Sequence, residues 1–79
     1  IVKNKKLCKG NIIDVLDTEH IWCIGEVLDI TKGQKEIQAL IHYKGWNKMY
    51  DEYITTSSYR IAPKGHFTSR RGIFNHKIY

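Results

Sequence analysis

The chain is poor in the features that mark membrane-spanning, metal-bound or catalytic proteins. It has two cysteines and no apolar run near the roughly 20 residues that cross a bilayer. No charged-then-apolar leader opens it, so no membrane is expected among its partners. Cys8 and Cys23 lie far apart and outside any Cys-x-x-Cys arrangement. They read as reduced thiols of an intracellular protein, and Cys23 as a small buried apolar side chain rather than a nucleophile. His20, His42, His66 and His76 show no metal-ligand spacing, and no nucleophile elbow, phosphate loop or His-Glu-x-x-His motif occurs. No catalytic residue, metal or cofactor is therefore expected. Internal repeats and low-complexity linkers are absent as well. The chain opens on Ile1 rather than Met, which suggests a piece of a larger protein.

What is present is a β-rich pattern. Seventy-nine residues make one domain with a modest core. Residues 1–9, with Lys3, Lys5, Lys6 and Lys9, form a basic lead-in expected to fray. Residues 11–16 read as a first strand and residues 17–20 as a loop. Residues 21–30 read as a longer strand. Cys23, Gly25 and Val27 share one face, and Trp22, Ile24, Glu26 and Leu28 the other. The small residues of the first face suit the inside of a tight barrel. Thr31-Lys32-Gly33-Gln34 signals a hairpin with Gly33 at positive φ, and the returning strand covers residues 36–43. Residues 52–55 give a short fourth strand, and Tyr59-Arg60-Ile61 one 3-10 turn ended by Pro63. A helix over residues 49–54 competes, because Tyr50 and Ile54 are four apart. The Thr-Thr-Ser-Ser run and β-branched neighbours disfavour it. The expected fold is all-β, a small, strongly bent antiparallel barrel of about five strands with a short 3-10 turn and a C-terminal extension. Phe67, Ile73, Phe74, Ile78 and Tyr79 make residues 64–79 too apolar for a free tail. That extension is expected to pack on the barrel, with an added strand over residues 73–79, or alternatively to form a groove for a partner.

The most informative stretch is IHYKGWNKMYDEY, residues 41–53, which holds Tyr43, Trp46, Tyr50 and Tyr53. Rings this dense on a polar segment build either a core or a binding surface. A strand ending at Tyr43, a turn at Lys44-Gly45, and Trp46 and Tyr50 four apart can bring three ring faces to one point. Such a corner receives a soft organic cation such as methylated lysine. The plainer alternative is that the rings pack a small β core, and it competes most closely for Tyr43, which ends an inward-facing strand.

The run His42-Tyr43-Lys44-Gly45-Trp46-Asn47-Lys48-Met49-Tyr50-Asp51-Glu52-Tyr53 resembles the signature of chromo-barrel domains and their Tudor-like relatives. Trp22-Cys23-Ile24-Gly25-Glu26-Val27 is similar to that family's aromatic-led second strand, and Ser58-Tyr59-Arg60-Ile61-Ala62-Pro63 to its closing turn. The resemblance covers residues 10–63. The family's last aromatic is usually Trp; here it is Tyr53, assigned to packing. The resemblance implies a non-enzymatic chromatin reader in the nucleus, part of a larger chromatin-associated protein, with a methylated histone tail as partner. It places an aromatic cage on Trp22, Tyr43, Trp46 and Tyr50. Asp17, in the loop before Trp22, and Asp51 are the candidate cage acids. A carboxylate accepts from mono- or dimethyl-lysine, whereas trimethyl-lysine has no N–H to donate. Asp51 and Glu52, adjacent on a strand, face opposite ways and cannot act as a carboxylate pair. They are expected to cap the loop or to pair with Lys48 or Arg60.

The net charge of +5 fits either a polyanionic neighbour or ordinary solubility. A basic histone tail is repelled by such a charge, which suggests a surface for DNA or RNA beside a separate lysine pocket. Lys44, Lys48, Arg60, Lys64, Arg70 and Arg71 are the candidate nucleic-acid contacts. Two rival functions follow: an RNA- or DNA-binding barrel that stacks bases on exposed rings, and a protein-interaction module with a degenerate cage. Salt separates the first from a cage, because phosphate contacts weaken steeply with ionic strength.

Overall fold

The computed structural model describes residues 6–69. They form five antiparallel strands: β1 (Ile12–Leu16), β2 (Trp22–Lys32), β3 (Ile37–Tyr43), β4 (Glu52–Thr55) and β5 (Ile61–Ala62). A 3-10 turn covers Lys48–Tyr50, and no α-helix occurs among the described residues. The strands make one sheet in the order β4-β3-β2-β1-β5, strongly curled into a half-barrel. This is the all-β architecture expected from the alternation of side chains.

β2 is the spine. Its first half pairs with β1, from Leu16 opposite Trp22 to Ile12 opposite Glu26. Its second half pairs with β3, and the register shifts between Val27 and Asp29. A bulge there bends the strand and increases its twist, which lets one strand serve both sides of a curled sheet. It also moves the inward face, so that Ile30 instead of Asp29 packs on the core. That core is Ile13, Val15, Val27, Ala39, Ile41, Tyr43, Ile54 and Ile61. Gly25 sits inside it because the curl leaves no room for a side chain. A Cβ there would stand 2.8 Å from Val15 Cγ1 and 3.0 Å from Ile41 Cγ2.

Several local expectations are corrected. The 3-10 turn lies at Lys48–Tyr50, where Asn47 Oδ1 accepts from Met49 N–H at 2.8 Å and nucleates it. Residues 61–62 instead make β5, which pairs with Asp14 and Val15 of β1. Gly33 is not at positive φ; that conformation belongs to Gly10, Gly45, Gly65 and His20. Gly33 is needed for close approach, since its Cβ would meet Glu36 O at 2.9 Å. Tyr53 does not pack beneath the site. It pairs with Leu40 on the outer face of β4 and is 52% exposed. The end of the lead-in is attached: Leu7 packs on the core and Gly10 N–H donates to Val27 O at 2.7 Å. The strand proposed over residues 73–79 lies outside the described residues.

Asp14 is the feature that sequence reasoning missed. Its neighbours Ile13 and Val15 face the core, so Asp14 faces the outer side of β1, yet it is 0% exposed. What covers it is the segment after Pro63. Gly65 N–H donates to Oδ1 at 2.9 Å, Phe67 and Thr68 N–H both donate to Oδ2, and the Thr68 hydroxyl donates to Oδ1 at 2.6 Å. A buried carboxylate is tolerated only when such donors replace its water. The clamp lays Phe67 flat on Trp22, with ring centroids 4.1 Å apart and planes at 18°. Asp14→Ala leaves three backbone N–H groups without their acceptor. It is expected to cost about 2–4 kcal/mol and to lower Tm by roughly 10 °C or more in a thermal melt, with Asp14→Asn in between.

Candidate functional site

The half-barrel holds a cavity of about 300 Å3 lined by Asp17, Thr18, Glu19, Cys23, Tyr43, Trp46, Tyr50 and Glu52. Three segments build it: the loop between β1 and β2, the inner face of β2 and β3, and the turn leading into β4. Gly45 at φ 88° turns the chain after β3, and Trp46 N–H closes on Tyr43 O at 3.0 Å. The Asn47-capped 3-10 turn then sets Tyr50 against Trp46. Their centroids are 6.0 Å apart with planes at 86°, two walls of a corner. His42 Nδ1 and Asp51 Oδ1, 2.7 Å apart, pin this turn to β3.

Trp46 is 58% and Tyr50 54% exposed, so neither ring belongs to the core. Tyr43 belongs to both core and cavity: it is buried, yet lines the wall. Its hydroxyl donates to Glu52 Oε2, and Arg60 Nη2 donates to both Glu52 Oε2 and Tyr43 Oη. Arg60 Nε also donates to Leu16 O at 2.8 Å, which ties β1 to the β4 side of the curl. Burial first, then the hydrogen bond and charge of Glu52, push the Tyr43 phenol above its ordinary pKa. Burial alone would lower Arg60, but the hydrogen bond and charge of Glu52 more than offset it.

The loop at the other side is organised by Asp17. Its Oδ1 accepts from Glu19 N–H at 2.8 Å and Ile21 N–H at 2.9 Å, while His20 turns the backbone at φ 63°. Its Oδ2 has one weak donor, the Cys23 thiol at 3.7 Å. Glu19, Glu52, Thr18 and Cys23 were not foreseen as lining groups. The signal for Glu52 was its alternation with Asp51, and for Glu19 its place in the same loop as Asp17.

Of the four expected cage rings, Tyr43, Trp46 and Tyr50 meet at the cavity, and Trp22 does not. Trp22 points away from Cys23, as strand alternation requires, and stacks on Phe67 instead. Of the two candidate acids, Asp17 lines the cavity, whereas Asp51 is turned to His42 on the outer side. Among the basic candidates, Lys44, Lys48 and Lys64 are exposed. Arg60 is half-buried and spent on Glu52, so it is not a free phosphate contact. Arg70 and Arg71 lie outside the described residues. No group of three His, Cys, Asp or Glu side chains among the described residues could hold a metal ion.

Charge is unevenly distributed. Residues 6–69 hold eight basic and eight acidic side chains, so the whole excess of five lies in Lys3, Lys5, Arg70, Arg71 and Lys77. The cavity itself faces three carboxylates and no cation other than Arg60 at its wall. No family model matches the chain, and no curated protein matches it. The class defined at this point is a small all-β half-barrel, compatible with a Tudor-like barrel.

Cys23 tests the environment of the cavity directly. Burial, followed by the charge and hydrogen bond of Asp17, pushes its thiol up to about 11 from 9.0. The folded state thus keeps the proton where an unfolded cysteine loses it, and that contribution to stability fades as the pH rises from about 9 towards 11. Iodoacetamide at pH 8 is expected to modify the exposed Cys8 and spare Cys23, with Cys23 reacting only as the pH nears 11, read by mass spectrometry.

Proposed function

We propose that this chain is a chromo-barrel or Tudor-like module, without catalytic activity, that takes a methylated lysine of a histone tail into the cavity. In this reading it works in the nucleus as part of a larger chromatin-associated protein. One observation supports it above others. Two large rings, more than half exposed, stand perpendicular at the mouth of a cavity whose polar lining is dominated by carboxylates. Exposed rings contribute little to folding, and a corner of ring faces beside negative charge is what a soft cation fits. Three faces at about 0.5–2 kcal/mol each give weak binding, in the micromolar to millimolar range. The acidic cavity also answers the repulsion expected between a basic chain and a basic tail, because the excess positive charge is carried by the flanks.

That separation favours a second contact. The cations of the two terminal segments suit a polyanion such as DNA or RNA. Arg70→Glu with Arg71→Glu is expected to weaken binding to a short duplex or RNA and to flatten its salt dependence, while leaving peptide binding unchanged. Filter binding across a salt series reads the first effect.

Trp46→Ala tests the main proposal. It is expected to abolish binding of methyl-lysine peptides in calorimetry while moving Tm by no more than about 3 °C, as for other exposed positions. A variant that unfolds would make Trp46 a structural residue and remove the main wall of the cage.

A further inference from the structure

Arg60 touches the cavity only through two of its lining side chains. Nη2 donates to Glu52 Oε2 and to Tyr43 Oη, and Nε donates to Leu16 O at 2.8 Å. Glu52 and Tyr43 line the cavity, whereas Arg60 does not. One planar guanidinium thus grips three acceptors on three segments of chain, which a single ammonium cannot do. The Tyr43 hydroxyl donates to the same Glu52 oxygen. Asp17 and Glu19, the other acids of the lining, have no cation partner among the described residues. The cavity therefore has three carboxylates, one of which has its charge balanced inside the wall.

We infer that Arg60 determines the specificity of the cavity: by holding Glu52 it withdraws that charge from an incoming cation and keeps the site selective for a methylated ammonium over an unmethylated one. This rests on the methyl-lysine reading above. Two effects compete for a lysine ammonium in such a cavity. Ring faces favour a cation that sheds its water easily, and the unmethylated ammonium is strongly hydrated. Open carboxylates favour the cation with most N–H groups, since each N–H makes a charge-assisted hydrogen bond. The unmethylated ammonium carries three such groups and trimethylammonium none. A third open carboxylate in the lining would let the unmethylated ammonium replace the hydration it gives up. With Glu52 saturated by Arg60 and Tyr43, the rings decide.

The test uses the full chain and Nα-acetyl-lysine amides carrying zero, two or three Nε-methyl groups. Each is titrated while the backbone amide signals of Gly45 and Tyr50 are followed by NMR, and those of Val15 and Ile41 report the core. The selectivity is the affinity of the tighter methylated probe over that of the unmethylated one. In Arg60→Gln every probe is expected to bind more tightly and the unmethylated one to gain most, so that the selectivity falls about fivefold. Arg60→Lys keeps the charge beside Glu52 and should hold the selectivity within about twofold while lowering Tm, which separates charge from packing. Adding Glu52→Gln to Arg60→Gln removes the freed carboxylate and should return the selectivity of the parent chain; a selectivity that stays low there overturns the inference. An Arg60→Gln chain with its core signals in place and its selectivity unchanged also overturns it and leaves the cage standing. So does one in which every probe binds more weakly, the mark of a purely structural residue. If Arg60→Gln does not fold, Glu52→Gln decides. It leaves Arg60 as an unpaired cation behind the wall, so all probes should weaken about fivefold at low salt and recover at about 0.5 M salt. A loss that persists at high salt overturns the inference. If no methylated probe shifts the Gly45 and Tyr50 signals of the parent chain, the cage reading fails and takes the inference with it.

Discussion

The buried carboxylate of Asp14 is the constraint on which the outer side of the molecule depends. A charge with no exposure in a strand of Ile and Val is tolerable only with its lone pairs filled, and four donors from residues 65–68 fill them. The arrangement is reciprocal. Residues 64–69 have no strand or helix of their own, so the carboxylate supplies the acceptor that their N–H groups lack. Phe67 reaches Trp22 as a result, and one of the two tryptophans is drawn into holding the fold. The folding unit therefore runs through Thr68, five residues beyond the stretch that resembles a chromo-barrel.

A second polar device serves the inner side. Arg60 joins Leu16, Tyr43 and Glu52, so β1 is tied at the wall of the cavity to the β3–β4 pair, from which β2 separates it in the sheet. The same contacts hold Tyr43 in place while its ring faces the cavity. Walls and lip are therefore held by different contacts. The cavity floor is built by the curl of the sheet, whereas Trp46 and Tyr50 are carried on one short turn held by Asn47 and by the His42–Asp51 pair. Loss of the pair would free the turn without touching the core.

Much of the fold was legible because it is encoded locally. Period-two alternation marked Cys23, Gly25 and Val27 as inward and Ile37, Ala39 and Ile41 as one face, and four of the strands lie where the β-branched runs are. The two-residue β5 was not legible, since its pairing with Asp14 and Val15 is set by chain return and not by propensity. The bulge at Leu28 escaped for a similar reason: it relieves curvature, a property of the whole sheet. At the site, the spacing of Tyr43, Trp46 and Tyr50 was readable, because a turn and one helical step fix where the rings go. Trp22 was assigned by resemblance against its own strand parity. Parity was the better guide. Asp14 and Glu52 could be located only through partners 51 and 8 residues away, contacts that no local pattern announces.

The span of the Asp14 clamp also orders events in time. Asp14 meets Thr68 across 54 residues, and β1 meets β5 across nearly as many, so the two ends of the described half-barrel must be brought together before either contact forms. Closing so large a loop costs entropy that no nearby contact repays. On a ribosome, β1 to β4 can pair while the last residues are still in the exit tunnel, but Asp14 stays solvated until they emerge. The barrel is then a structure whose first strand is finished last, and its latch closes only when nearly the whole domain has been made.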